Sequence, residues 1–261
     1  MIRLVHLLRR RPNLSRDAFE RAFDQVRGPL IAGLQSDLGI LRYTQCIREQ
    51  TQGEDDAALA ARIARGGMAP PYDGVAEYWF SSETALIEAT RTEAGRVALD
   101  RLIDQEADFS DPPSSPLWLA REHPQVSVMY EYPVARLKSG VLKLHLALAP
   151  HPHMPPSDAA DYWLHEHGPL VRSWASARGM LRYQQVHRIE SAWIDALNQR
   201  RGHASDAFIG HAEAWFDRLS ATIGPEAQSA AAAAMEDERV FIDWDKSSAW
   251  TSKERLFIDF P

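Results

Sequence analysis

The hydrophobic pattern changes period along the chain and then starts again. Residues 2–8 are aliphatic and β-branched, which predicts a largely buried strand. Pro12-Asn13-Leu14-Ser15 is turn chemistry, and Ser15 can cap a helix starting at Arg16. Phe19, Phe23 and Val26 share one face at helical spacing. Residues 39–47 predict a second strand and Val75–Phe80 a third. A helix follows from Ser82 to about Ala107, then a short fourth strand over Ser115–His123. Between strands two and three, residues 51–72 hold an alanine-rich helix (54–64) and a Gly-Gly-Met-Ala-Pro-Pro loop, which read as an insertion. The order β-α-β-β-α-β is a ferredoxin-like split unit.

The same order then repeats. At an offset of 140 residues, Pro12 matches Pro152, Gly28-Pro29-Leu30 matches Gly168-Pro169-Leu170, Leu41-Arg42-Tyr43 matches Leu181-Arg182-Tyr183, and Gln45 matches Gln185. At 136, Ala76-Glu77 and Trp79-Phe80 match Ala212-Glu213 and Trp215-Phe216. At 132, Phe109, Asp111 and Trp118 match Phe241, Asp243 and Trp250. Register held this way marks an internal duplication. The expected organisation is a first repeat over 1–124, a linker over 125–140 and a second repeat over 141–261, with Val126–Tyr132 as an extra strand joining them. A four-stranded sheet with both helices on one face leaves its other face bare. Two such sheets in one chain can cover each other, so the expected fold class is α+β, two ferredoxin-like βαββαβ repeats forming an intramolecular α+β barrel.

Composition narrows the function classes. A formal charge of -7 and a pI near 5.8 argue against a nucleic-acid partner. Cys46 is the single cysteine, so an intramolecular disulfide framework is excluded and a reducing, cytoplasmic setting is expected. No apolar run approaches the roughly 18 residues of a membrane helix, and the N-terminal basic cluster Arg9-Arg10-Arg11 reads as a solvated turn rather than a targeting signal. Gly-rich phosphate loops and nucleophile elbows are absent.

Candidate chemistry concentrates in the second repeat, which with its leader holds eight of the ten histidines. Strand alternation places His211, Glu213 and Trp215 on one face and Tyr183, Gln185 and His187 on another. With His145 on the first strand, the polar faces are expected to converge on one barrel cavity; the counterparts in the first repeat are His6, Tyr43, Gln45, Glu77 and Trp79. An inward mid-strand glutamate is costly unless paired or neutral, so Glu213 is a candidate acid or base. The helix of Tyr162–Leu170 is expected to stop at Gly168-Pro169, placing His167 and, one turn earlier, Trp163 at the barrel mouth, with His165 outward. His151-Pro152-His153 and His165-Glu166-His167 lack zincin spacing, so no metal is expected.

The segments WLHEHGPLV, GMLRYQQVH, GHAEAWFD and RVFID resemble the EthD family of dimeric α+β barrels, over nearly the whole chain. The first repeat departs from that pattern, with Arg27 where the motif has histidine. The resemblance implies the barrel fold and a range of chemistries: cofactor-free isomerases, dehydratases, decarboxylases and monooxygenases, and haem proteins. The resulting expectation is an enzyme without organic cofactor, a lyase, dehydratase or isomerase of a small hydrophobic, aromatic or polyketide-like molecule. His167, Glu213 and Tyr183 are its expected catalytic residues; His145, Trp163, Gln185, His187, His211 and Trp215 are its expected substrate-binding residues. The alternatives are a haem-binding barrel with a histidine on iron, and a non-catalytic binding or stress protein. The fused chain could pair again as a homodimer.

Overall fold

The computed structural model describes residues 1–49, 57–127, 134–203, 208–217 and 224–260. Its strands are β1 (Ile2–Leu8), β2 (Arg42–Arg48), β3 (Gly74–Phe80), β4 (Leu117–Ser127), β5 (Val141–Leu148), β6 (Met180–Ile189), β7 (Gly210–Asp217) and β8 (Ser248–Ile258). They close into an antiparallel barrel in the order β1-β3-β2-β8-β5-β7-β6-β4. Each repeat supplies a contiguous half in ferredoxin-like order, and the seams are β2–β8 and β4–β6. The seam strands β4 and β8 are long, 11 residues each, so both pair within their own repeat and across the seam. β4 runs on through Ser127, past the expected end of the first repeat, and its register shifts between Pro124 and Val126. A bulge is where a residue without an N–H does least harm to a ladder. The rest of the expected joining strand, 128–132, lies outside the described residues.

Alternation sorts the side chains into two layers. Val5, Leu7, Cys46, Val75, Trp118, Ala120, Ala147, Val186 and Trp250 form a cluster drawn from both repeats, which is the barrel interior. Leu4, Leu8, Tyr43, Ala76 and Tyr78 point the other way and pack with Phe19 and Phe23 of the helical layer. That layer comprises α1 (Arg16–Arg21), α2 (Gly28–Gly33), α3 (Gln35–Leu38), α4 (Ala57–Ala64), α5 (Glu83–Arg91), α6 (Glu93–Glu106), α7 (Pro156–Tyr162), α8 (Gly168–Ser173), α9 (Ala192–Arg200) and α10 (Pro225–Phe241). Ser15 caps α1 by accepting from the Ala18 N–H. The helix expected over 82–107 is broken at Thr92, whose backbone is extended and whose hydroxyl caps α6.

The Gly-Pro helix does not stop; it widens. Ala22–Arg27 and Trp163–His167 are π-helical turns that lead straight into α2 and α8. Pro29 and Pro169 have no N–H to return to the carbonyl four residues back. Instead the Gly28 and Gly168 N–H groups reach back five residues, to the carbonyls of Phe23 and Trp163. Those same carbonyls accept a second bond from the strand beneath: Gln45 Nε2 donates to Phe23 O at 2.6 Å and Gln185 Nε2 to Trp163 O at 2.8 Å. A Cβ at position 168 would meet Gln185 Nε2 at 2.8 Å, which explains the glycine.

The segment read as an insertion has a counterpart. Both repeats carry a helix between their second and third strands, α4 and α9, and each helical arm reaches across to the other half. Arg65, just past α4, pairs with Glu238 of α10 at 2.6 Å. Arg201, just past α9, pairs with Glu106 of α6 and also donates to Ser115 O at 2.9 Å and contacts His6 Nε2 at 2.8 Å. The two clasps are related by the same offsets as the sequence repeat. Arg201 and Glu106 are both nearly fully buried, whereas the neighbouring Arg200–Asp100 pair is half exposed. Removing one partner of a buried pair strands the other charge. Arg201→Ala is therefore expected to lower the unfolding free energy by about 3–5 kcal/mol in a denaturant titration, and Arg200→Ala by about 1 kcal/mol or less. Equal effects would contradict the clasp.

Candidate active site

Two cations and two carboxylates meet in the middle of the barrel. Arg3 of β1 and Lys143 of β5 occupy equivalent positions in the two repeats, as do Glu77 of β3 and Glu213 of β7. All four are about 1% exposed. The Arg3 guanidinium bridges Glu77 and Glu213 and donates to Glu122 Oε1 at 3.0 Å. Lys143 Nζ lies 3.0 Å from both Glu77 oxygens, 2.8 Å from Glu213 Oε1 and 3.3 Å from Glu254 Oε1. The outer shell repeats the symmetry. Trp79 Nε1 donates to Glu122 at 2.9 Å and Trp215 Nε1 to Glu254 at 3.0 Å. Arg3 sits 4.7 Å from the Trp79 ring centre and Lys143 4.9 Å from that of Trp215.

The symmetry breaks at three positions. Beside Glu213 stand His145 and His211, where the first repeat has Val5 and Val75; beside Glu77 stands Cys46, where the second repeat has Val186. His211 Nε2 is 3.0 Å from Glu213 Oε1 but 4.0 Å from Glu77. Burial raises both carboxylates, but their neighbours drive them apart. Glu213 gathers Arg3, Lys143 and the His211 donor, and is held well below the usual carboxylate range. Glu77, buried and facing the Glu213 charge, is pushed up to about 7 despite Arg3 and Lys143. Burial lowers His211 to about 4 and His145, beside Lys143, well below the imidazole range, so both are neutral at neutral pH. Environments that separate two like groups in this way occur at acid–base sites and also in structural ion-pair networks. Burial would discharge Lys143, but the carboxylates of Glu213, Glu77 and Glu254 around it keep it charged. The Cys46 thiol, 3.4 Å from Glu77 Oε2, is pushed up by burial.

This cluster floors a cavity of about 200 Å³ lined by Arg3, Arg42, Thr44, Glu77, Trp79, Glu122, Lys143, Arg182, Gln184, Glu213, Trp215 and Glu254 among others. A second cleft, about 560 Å³, shares Arg3, Trp79 and Glu122 with it. Gln184 Nε2 and Thr44 Oγ1 are buried without a hydrogen-bond partner. Each such unmade bond costs about 1–3 kcal/mol.

The expected single pocket is in fact two sites on opposite faces of the sheet. His145, His211, Glu213 and Trp215 are inside the barrel as expected. Tyr183, Gln185 and His187 are outside, under the helices, as are His6, Tyr43 and Gln45 of the first repeat. Their neighbours Arg182 and Gln184 face the cavity. Alternation gives two faces but not which is inner, and β6 is polar on both. Its outer face is polar because the π-turn presents a carbonyl there: Gln185 serves Trp163 O, Tyr183 OH accepts from Gln185 Nε2 at 3.3 Å, and His187 stacks on Trp163 at 4.1 Å. Burial raises Tyr183 to about 12 and lowers His187 to about 3. His167 is buried and His165 exposed, but His167 faces α10, not the barrel. Its Nδ1 lies 2.7 Å from Asp237, whose other oxygen accepts from Tyr162 OH at 2.7 Å. A sheet thus separates His167 from Glu213, and they cannot exchange a proton directly. His6 also aligns, at the 140 offset, with Leu146 rather than with His145, whose counterpart is Val5.

Among the described residues, Glu77, His145, His211 and Glu213 each bring a possible metal-ligand atom within 4.8 Å of the others, and so do Cys46, Glu77 and Glu254. Lys143 Nζ already fills a cation's role between the two carboxylates. Arg3, Lys143, Glu122 and Glu254 were missed in the sequence. The repeat offsets that paired Glu77 with Glu213 also pair Arg3 with Lys143 and Glu122 with Glu254, so the signal was present.

Among the described residues no helix is long and apolar enough to cross a membrane. None of the curated proteins compared with the chain matches it significantly. Solved structures similar in fold include candidate monooxygenases from Lactobacillus acidophilus (9% identity, TM-score 0.47, covering 98% of this chain and 94% of that one) and from Fusobacterium nucleatum (7%, 0.49, 98% and 93%). A candidate chlorite dismutase is similar too (12%, 0.48, 97% and 94%). The sequence profile of the EthD domain matches residues 11–113 and again 151–245, one match per repeat. With both halves matched, the chain belongs to the EthD family.

Proposed function

We propose that this EthD-family chain is a cofactor-independent acid–base enzyme, a lyase, dehydratase or isomerase, acting on a small hydrophobic, aromatic or polyketide-like molecule in the barrel cavity. The observation that carries the reading is the Glu77–Glu213 pair: two equivalent carboxylates, one holding a proton near neutral pH and one not, at the floor of a cavity. A carbon acid bound there gives its proton to the Glu213 carboxylate, and the electron pair moves onto the adjoining oxygen. Glu77 returns a proton to the product carbon or leaving group. Passage of one proton from Glu213 to Glu77 resets the pair. Arg3 and Lys143 stay charged throughout and hold both carboxylates in place. The outer set, Tyr183, Gln185 and His167, is reassigned here to positioning the π-turn rather than to handling the proton.

An architectural network alone is a weaker account. Buried ion pairs seldom stabilise a fold more than apolar packing would, and a structural network has no use for a cavity edged with unpaired donors. For the haem alternative, His145 and His211 inside the barrel line neither the 200 Å³ cavity nor the 560 Å³ cleft, and the histidine that lines the cleft is His123.

Enzyme-dependent exchange of solvent deuterium into a panel of enolisable carbonyl compounds, followed by NMR, tests the reading. Glu77→Gln and Glu213→Gln should each lower the exchange rate about a hundredfold or more, while Tyr183→Phe and His167→Ala leave it close to wild type. Full activity in both glutamine variants would remove the pair from the mechanism.

The donor role of Glu77 also sets a pH dependence. Glu77 donates only when protonated, so the rate should fall as pH rises through about 7, and this alkaline limb should vanish in Glu77→Gln. Because the folded state holds this proton more tightly than the unfolded chain, stability should also decline between the ordinary carboxylate range and about pH 7. A rate and stability flat across that window would contradict the assignment.

A further inference from the structure

The cavity wall is more specific than its floor. Gln184 is 1% exposed and Thr44 3% exposed, on β6 and β2, at equivalent positions of the two repeats. Gln184 uses its oxygen to accept from Arg182 at 2.5 Å, which fixes the amide with its NH2 unspent. Thr44 has a hydroxyl and no partner. Both line the 200 Å³ cavity. Buried donors without acceptors are rare in folded proteins and call for an occupant that supplies the acceptor. The walls beside them are the Trp79 and Trp215 rings, each with two cations over it: Arg3 at 4.7 Å and Arg42 at 5.2 Å from the Trp79 centre, Lys143 at 4.9 Å and Arg182 at 4.4 Å from that of Trp215. Cations set against low-dielectric walls attract an anion.

We propose that the ligand of this cavity is a small planar acid, an sp² oxyanion on an aromatic or enolisable body, whose oxygens are bound by Gln184 Nε2 and Thr44 Oγ1. The proposal rests on the barrel cavity being the functional site, as the acid–base reading has it. The four carboxylates around the cavity do not oppose an anion as strongly as their number suggests. Glu213 is paired with Arg3, Lys143 and His211; Glu254 with Lys143, Trp215 and the Ala135 N–H; Glu122 with Arg3 and Trp79. The lining also carries four cationic side chains, Arg3, Lys143, Arg182 and Arg42, the last paired outside the cavity with Asp259 at 3.9 Å. Oxyanion hydrogen bonds to fixed donors are about twice as strong as neutral ones. That makes charge, rather than shape, the basis of selection.

Isothermal titration of the intact chain with benzoate and with its neutral isostere benzamide, at neutral pH, tests this. Benzoate should bind at least about tenfold more tightly than benzamide. Gln184→Glu keeps the side chain's size and its Arg182 partner but removes the donor and adds a like charge, so it should weaken benzoate about tenfold or more and spare benzamide. Thr44→Val should weaken benzoate with the fold unchanged, giving an independent reading if the first variant folds poorly. Glu77→Gln should keep benzoate binding, which separates the two ideas: lost turnover with retained binding supports both. Exchange activity that depends on Glu77, together with no preference of benzoate over benzamide or with benzoate binding indifferent to Gln184 and Thr44, would overturn the oxyanion assignment and leave the proton pair standing.

Discussion

Arg3 and Lys143 crossed with Glu77 and Glu213 are the constraint around which the barrel is built. Charges out of reach of water cost several kcal/mol each unless they find one another. Here the two repeats share their charges. Arg3 pairs with Glu77 and Glu122 of its own half and with Glu213 of the other, and Lys143 with Glu213 and Glu254 of its own half and with Glu77 of the other. Closing the two sheets on each other and neutralising the interior are therefore one event, and the long seam strands and the reciprocal Arg65–Glu238 and Arg201–Glu106 clasps serve the same closure from outside.

Duplication explains the architecture, and its imperfections set the two central carboxylates apart. Were the repeats identical, the two central carboxylates would be equivalent and would share a proton evenly. Replacing Val75 by its counterpart His211 sets an imidazole 3.0 Å from Glu213, where Glu77 has the weaker Cys46 thiol at 3.4 Å. That imbalance favours charge on Glu213 over Glu77. The same sheet that carries the proton pair on its inner face carries, on its outer face, the Tyr-Gln supports of the π-turns, so one set of strands does two jobs that do not touch.

Much of the fold could be read from the chain. The offsets of 140, 136 and 132 residues gave the strand order, the pairing of the halves and the equivalence of Glu77 with Glu213. Which face of each strand looks inward was legible where one face is aliphatic, as in β5 and β7, and illegible in β6, where Arg182 and Gln184 alternate with Tyr183, Gln185 and His187. Local sequence could not show that a carbonyl of a π-turn, 22 residues upstream, would claim Gln185. The WLHEHGP segment looked catalytic because it is polar and ends at a helix breaker; its histidine is held by Asp237, 70 residues downstream. Arg3 and Lys143 escaped notice because a basic residue near the end of a strand ordinarily reaches solvent, and only closure of the barrel turns both inward.

The proposed mechanism stands on one shared proton. Carbon-13 NMR titration of glutamate side-chain carboxyls, with Glu77 identified by its loss in Glu77→Gln, reads that proton directly. The expected result is a single buried carboxyl titrating near pH 7 while Glu213 remains ionised far below it. Finding every interior carboxyl ionised by pH 5, or Glu213 titrating in place of Glu77, would contradict it.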